Sequence, residues 1–381
     1  MSTESLDFLL TSESVTEGHP DKVCDYIADS VLDAHLARDP GAHVACEVLC
    51  KGREVVLAGE ITAHGALDGG ELDMLVREVI AEIGYVEGTE EFHARGIGLT
   101  NLLSAQSPEI DTAVLHATDA AAVARAQADQ GAGDQGIMFG YATDETPELL
   151  PLPILLAHRL ARGLAEARRA GEVAWLRPDG KSQVTVAYEG GRPVRVETVL
   201  ISTQHRKGVS REEITAWVAT KLAPKALDGW MRDGIRFVAN PSGSFILGGP
   251  SADAGVTGRK IIVDSYGGAA RHGGGAWSGK DPSKVDRSGA YFCRWAARQV
   301  VKQGIARRAE IQVSYAIGEA KPMSVAVETF GTGDAKAAVA LVSSFDFRPA
   351  AISERLNLRR PIYRSTTNYG HFGKPGLPWE E

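Results

Sequence analysis

Apolar residues recur along this chain in two rhythms, and the order in which they alternate predicts its architecture. Three stretches rich in β-branched residues, 44–62, 182–202 and 310–330, alternate or run apolar around a turn punctuated by Gly, Lys or Pro, as strand–turn–strand hairpins do. A helical pattern precedes each hairpin, over Pro20–Arg38, Pro153–Ala170 and Pro282–Gln303. Another follows each, over Glu71–Gly84, Ser210–Ala223 and Asp334–Phe345. Helix–hairpin–helix thus occurs three times at a spacing of roughly 130 residues, which predicts an α+β fold of three structurally similar helix-plus-sheet units. The Ala-, Asp- and Gln-rich stretch near 106–130 and the Pro-, Gly- and Ser-rich stretch near 241–250 mark the boundaries. The expected division is an N-terminal unit over 1–106, a connection over 107–130, a central unit over 131–248 and a C-terminal unit over 249–381.

Composition narrows the function classes. A net charge of −8 and a pI near 5.8 argue against a general nucleic-acid binder, because phosphate contacts need a basic surface. No apolar run reaches the roughly 18 residues needed to cross a bilayer, and the N-terminus has no basic region before its short apolar stretch. Cys24, Cys46, Cys50 and Cys293 show no CxxC spacing and complete no zinc set, so buried, reduced thiols in a cytoplasmic protein are expected.

Against this acidic background the segment from Gly248 to Asp286 stands apart. Ten glycines fall between Gly248 and Gly279, interleaved with Arg259, Lys260, Arg271, His272, Lys280 and Lys284. Glycine lets backbone N–H groups approach a ligand and fixed cations neutralise it, so the segment suits a small polyanion such as a polyphosphate. The cations bracket Ile261, Ile262 and Val263, which read as a strand.

Two nucleotide fingerprints fail on context. Gly131, Gly133 and Gly136 match G-x-G-x-x-G, but the helical pattern over 118–130 precedes them and a strand-like run follows, the reverse of a dinucleotide site. Gly274 to Lys280 matches G-x-x-x-x-G-K, but Asp281 stands where Ser or Thr should hold magnesium. Asp281-Pro282 reads instead as N-cap and first helical residue, a helix start able to hold an anion. Glu17-Gly18-His19-Pro20-Asp21-Lys22 has the same construction, with His19 at the helix entrance, and Arg177 to Lys181 reads as a turn into the second hairpin.

These runs together resemble the S-adenosylmethionine synthetase (methionine adenosyltransferase) family. The matching segments include TSESVTEGHPDKVCD, VACE, AGEIT, QSPEI, GAGDQGIMFGYAT, WLRPDGKSQVT, GGPSADAGVTGRKIIVDSYGG and ARHGGGAWSGKDPSKVDRS, and they reach from residue 11 to 373. The resemblance implies three α+β units in pseudo-threefold arrangement, and homodimers with shared active sites that pair into homotetramers. It also implies the joining of ATP to L-methionine with two Mg²⁺ per site and K⁺ as helpers. GAGDQG and Gln106 would lie across a subunit boundary from Lys280.

Carried over by that resemblance, His19 sits beside the bond between C5′ and the triphosphate, and Asp21 and Asp286 hold magnesium. Glu47 ligates potassium. Glu60, Gln106, Asp134 and Lys284 belong to the methionine region, and Asp179 and Lys181 contact the nucleotide. Phe245 stacks on adenine, and Asp253 holds the ribose or the methionine amine. Arg259, Lys260, Ala276 and Lys280 line the polyphosphate, so that His19, Lys181, Lys260 and Lys280 carry the catalysis. Two departures stand out: Ser244 replaces the Arg usual before the phenylalanine, and the connection from Gln106 to Gln130 is longer and richer in alanine. The rival readings are an ATP-dependent kinase or phosphatase on the same anion site, and a non-catalytic binding protein of the same fold.

Overall fold

All three predicted hairpins form in the computed structural model, which describes residues 7–86, 90–105 and 131–381. In chain order the strands are β1 (Phe8–Val15), β2 (His43–Lys51), β3 (Glu54–Thr62), β4 (Gly98–Ser104), β5 (Gly136–Thr143), β6 (Leu176–Glu189), β7 (Arg192–His205), β8 (Arg236–Ala239), β9 (Gly255–Val256), β10 (Arg308–Tyr315) and β11 (Ser324–Glu328). The longer helices are α1 (Pro20–Arg38), α2 (Gly69–Ile83), α3 (Leu152–Arg169), α4 (Arg211–Trp217), α5 (Val285–Lys302), α6 (Ala335–Ser343) and α7 (Pro349–Arg355).

Local chemistry explains the boundaries. Asp68 and Glu71 form a reciprocal capping box at the start of α2, and Gly84, at φ 113°, closes it in the left-handed region that glycine tolerates. Glu189 pairs with Arg192 around Gly190 and Gly191, both at positive φ (55° and 74°), the two-residue turn that matches strand twist.

Among the described residues three sheets result, ordered β4–β3–β2–β9, β1–β6–β7–β8 and β11–β10–β5. The exchange between them is cyclic. β1 lies antiparallel to β6 of the central hairpin, β5 lies antiparallel to β10 of the C-terminal hairpin, and β9 lies antiparallel to β2 of the N-terminal hairpin. Each third of the chain therefore donates its first strand to the next unit, which gives the three-unit architecture a threefold logic. On β2, Val44, Cys46, Val48 and Cys50 are buried in alternation, while Glu47, Leu49 and Lys51 face outward. All four cysteines are buried and free. One continuous core joins α1, α2, β2, β5, α5 and β10, and a second lies under α3, β6 and β7.

Three local readings change in the structure. Ile261–Asp264 is a helical turn, closed by the Asp264 N–H donating to the Lys260 carbonyl at 2.9 Å, because the buried Asp264 must turn inward to meet Lys22. Residues 177–181 lie inside β6, whose register slips between Leu176 and Gly180. Asp281 does not cap α5, which begins at Val285; it accepts the N–H groups of Val44 at 2.7 Å and Ser283 at 2.8 Å, tying the loop to β2.

Asp29 of α1 is the densest of these ties. It accepts the Gly279 N–H at 2.8 Å, the Arg287 guanidinium at 2.7 and 2.9 Å, and the Thr367 hydroxyl at 2.7 Å, all in the interior. Removing one partner of a buried ion pair strands the other charge, at a cost of about 3–5 kcal/mol. Asp29→Ala is expected to lower the unfolding free energy in urea by that much. Asp73→Ala, which breaks the surface pair with Arg77, should cost no more than about 1 kcal/mol; equal losses would show that the Asp29 cluster is not the stronger tie.

Candidate active site

The N-terminus of α1 gathers the first group of candidate residues. His19 is its N-cap and Pro20 its first residue, so the ring is held at the helix entrance. The Asp21 N–H donates to His19 Nδ1 at 3.2 Å, which leaves the proton of the neutral ring on Nε2. Burial, then the nearby charges of Lys260 and Lys181, push the His19 pKa down to about 3, with Asp21 opposing, so the ring is neutral near pH 7. Asp21 bonds Lys260 Nζ and accepts the Val256 N–H at 3.0 Å, and Arg259 approaches to 3.7 Å. Burial disfavours the Asp21 carboxylate, yet the bonds from Lys260 and Val256 outweigh it and hold its pKa below the usual value.

Asp179 of β6 is buried and accepts the Gly249 N–H at 2.8 Å through Oδ2, while its Oδ1 has no partner among the described residues. Burial raises it to about 6, against the pull of Gly249 and Lys181. The loop Pro241–Phe245 is anchored by the Phe245 N–H on His205 Nε2 at 3.1 Å.

A second group forms where β2 meets the start of α5. Lys280 Nζ lies 2.7 Å from Asp286 Oδ2, and Lys284 Nζ lies 2.6 Å from Asp281. Glu47 projects from the outward face of β2; crowding by protein raises its pKa, with Lys280 opposing the rise and Asp25 adding to it. A Cβ on Gly133 would lie 3.6 Å from the Ser283 carbonyl, and one on Gly136 would lie 3.7 Å from Asp286 Oδ1. The GAGDQG run is therefore beside Ser283 and Asp286 of its own chain, which corrects the expectation that a subunit boundary separates it from Lys280.

No hydrogen bond or ion pair among the described residues crosses between the two groups. Their loops pack closely, since a Cβ on Gly258 would collide with that of Ala276. Glu60 is exposed on β3, paired in register with Ala45, and Asp253 is exposed with its carboxylate on the Ala254 N–H at 2.9 Å. Gln106 and the predicted helical connection up to Gln130 lie outside the described residues.

The sequence reading missed the supports. Asp25 accepts the Gly258 N–H at 2.8 Å, Asp29 the Gly279 N–H at 2.8 Å, and Asp33 those of Tyr363 at 3.0 Å and Arg364 at 2.8 Å. Lys22, fully buried, lies 3.0 Å from Asp25 and also bonds Asp264. The signal was present: acidic residues at 21, 25, 29 and 33 share one face of a helix.

Family models agree along the chain. The N-terminal domain of S-adenosylmethionine synthetase matches residues 7–108, its central domain 129–245 and its C-terminal domain 247–381. The chain belongs to the S-adenosylmethionine synthetase family. The S-adenosylmethionine synthase of Akkermansia muciniphila is 53% identical over 98% of this chain and 95% of its own length. Those of Nocardia farcinica and Thermus thermophilus are each 51% identical, with 98% and 95% covered.

The neutral state of His19 has a pH signature. Its ring takes a proton near 6.5 when unfolded but only near 3 when folded, so below pH 6.5 the unfolded chain binds more protons. Its contribution is complete above pH 6.5 and shrinks as pH falls toward 3. Asp179, raised from 3.8 to about 6, acts oppositely, its contribution fading as pH rises through 6. Urea titrations between pH 3 and 6.5 should therefore show a shallower acid loss of stability for His19→Asn than for the wild type; identical slopes would exclude a ring held neutral by folding.

Proposed function

We propose that this chain transfers the adenosyl group of ATP to the sulfur of L-methionine, releasing tripolyphosphate that is then cut to phosphate and diphosphate. The observation that carries this reading is the α1 entrance, where a neutral histidine carrying its proton on Nε2 sits among Lys181, Arg259 and Lys260. A thioether sulfur is already nucleophilic, so attack on C5′ needs no general base. The difficulty is the departing triphosphate, whose developing charge must be met by fixed donors and cations. His19 offers Nε2–H to the oxygen leaving C5′. Lys181, Arg259, Lys260 and Lys280 neutralise the phosphates, and Asp179 and Phe245 hold the nucleoside. Glu60, Gln106, Asp134, Asp253 and Lys284 receive the methionine.

The family is generally metal-dependent. Among the described residues no group of three or more His, Cys, Asp or Glu could hold a metal alone. Asp21 and Asp286 are single carboxylates, each beside a lysine. Magnesium typically takes one or two carboxylates together with phosphate oxygens and water, so this donor set fits a metal that arrives with the triphosphate. Asp21 and Asp286 would hold two Mg²⁺, supplying charge neutralisation on the phosphates, and Glu47 would hold K⁺. Lys260 and Lys280, now on those carboxylates, would turn to phosphate oxygens.

A shared site is part of the same reading. The Lys260 group of one subunit faces the Lys280 group of a second in a homodimer, and dimers pair into a homotetramer. No helix among the described residues is long and apolar enough to cross a membrane; a cytoplasmic enzyme without nucleic-acid partners completes the proposal.

Incubation with ATP, methionine, Mg²⁺ and K⁺ should yield the sulfonium product by mass together with phosphate and diphosphate, whereas ADP would point to a kinase. Lys260→Ala or Lys280→Ala should lower turnover on the order of 10²–10³, far more than it weakens methionine binding. Mixing the two inactive variants should restore activity, because one hybrid site keeps both lysines; no recovery in verified mixed dimers would defeat the shared site.

A further inference from the structure

His272 belongs to no role assigned above, yet its environment is specific. The Gly274 N–H donates to His272 Nδ1 at 2.8 Å, so the neutral ring carries its proton on Nε2. That nitrogen is buried and has no partner among the described residues. A buried donor left unsatisfied costs free energy, and native structures usually supply it with a partner. His272 lines a cavity of about 10 Å³ whose other walls include Gly273, Gly275, Asp286 and Ala290. That is about the space one water needs, and a buried water requires two or more polar partners.

Asp286 supplies the second partner. Its Oδ2 is taken by Lys280 at 2.7 Å, while Oδ1 lies against Gly275, where any Cβ would collide with it. His272 and Asp286 thus line one and the same cavity.

We propose that His272 Nε2–H and Asp286 Oδ1 hold a single water across this cavity, and that this water cleaves tripolyphosphate after adenosyl transfer. The inference rests on the synthetase reading, which places the polyphosphate at Lys280. His272 donates to the water oxygen and Asp286 accepts one of its hydrogens, so a lone pair is left to face the chain terminus of the tripolyphosphate. The oxygen attacks the terminal phosphorus and the bridging P–O bond breaks. One proton of the water stays with the new phosphate and the other passes to the leaving diphosphate oxygen, so neither side chain changes its charge. His272 is a positioning residue, acting through the water.

The test separates the two half-reactions. In one assay S-adenosylmethionine formation is followed in a single turnover; in the other, added tripolyphosphate is hydrolysed with Mg²⁺ and without methionine. His272→Phe should form S-adenosylmethionine at the wild-type rate, release much of its tripolyphosphate uncut and hydrolyse added tripolyphosphate roughly tenfold or more slowly, the scale set by one unsatisfied buried partner. His272→Gln, which keeps an N–H donor at the same reach, should recover most of the hydrolysis. Ala290→Val, which fills the cavity from α5, should reproduce the Phe defect while its melting temperature reports whether the fold survives. Unchanged hydrolysis in His272→Phe would overturn the proposal, as would a parallel loss of both half-reactions in the Phe and Gln variants. A wild-type chain that forms no sulfonium product yet cuts tripolyphosphate with the predicted His272 dependence would overturn the synthetase reading alone.

Discussion

Four carboxylates on one face of α1 hold the candidate site in place. Asp21, Asp25, Asp29 and Asp33 stand one helical turn apart and accept the N–H groups of Val256, Gly258, Gly279 and the 363–364 backbone. Isolated buried carboxylates are costly, and burial does push Asp25 and Asp33 upward, Asp33 to about 6. The ladder survives because each carboxylate also meets backbone donors, and because Lys22 and Arg287 supply buried positive charge. A glycine-rich segment would otherwise carry a large conformational entropy; anchored at three points on a helix, it keeps its cations where a polyanion can find them.

In the proposed reaction the same charges would serve two states. In the structure Lys260 rests on Asp21 and Lys280 on Asp286, so each of these two carboxylates faces an ammonium. In the proposed reaction a triphosphate would bring more negative charge than either carboxylate, so metal ions would take over the carboxylates while the lysines move to phosphate. Binding would then be an exchange of partners within a fixed frame, which keeps the reorganisation cost of a highly charged site small. Neutral histidines extend this logic. A backbone N–H claims Nδ1 of His19 and of His272, fixing each ring as an Nε2–H donor without adding a charge to be buried.

Strand exchange binds the three units into one body. Because β1, β5 and β9 each complete a neighbouring sheet, no unit closes its sheet from its own stretch of chain. The arrangement also positions the candidate site: β9 runs into Arg259 and Lys260 just after pairing with β2, which brings the glycine- and cation-rich segment against the N-terminus of α1. The C-terminal tail locks this junction, with the His371 N–H on the Asp264 carbonyl at 2.9 Å and the Trp379 ring stacked on Tyr291.

Local pattern was enough for the main elements. Periodicity located the helices α1, α3 and α5 and all three hairpins, since side-chain spacing on a helix or strand is a property of the nearby sequence. The glycines and cations between Gly248 and Asp286 suited a polyanion on their own, whereas His19, Asp21 and Lys181 became candidates through the family resemblance. Where pattern failed, the deciding partner lay far along the chain. Ile261–Val263 looked like a strand until Asp264 had to reach Lys22, and Asp281 looked like a helix cap until it met the backbone of Val44. The acidic ladder of α1 was written in the sequence as a four-residue repeat, but nothing local says that such a face is buried. Only tertiary packing, by removing water and offering backbone N–H groups from residues more than 200 positions away, turned those aspartates from a solvated face into the frame of the site.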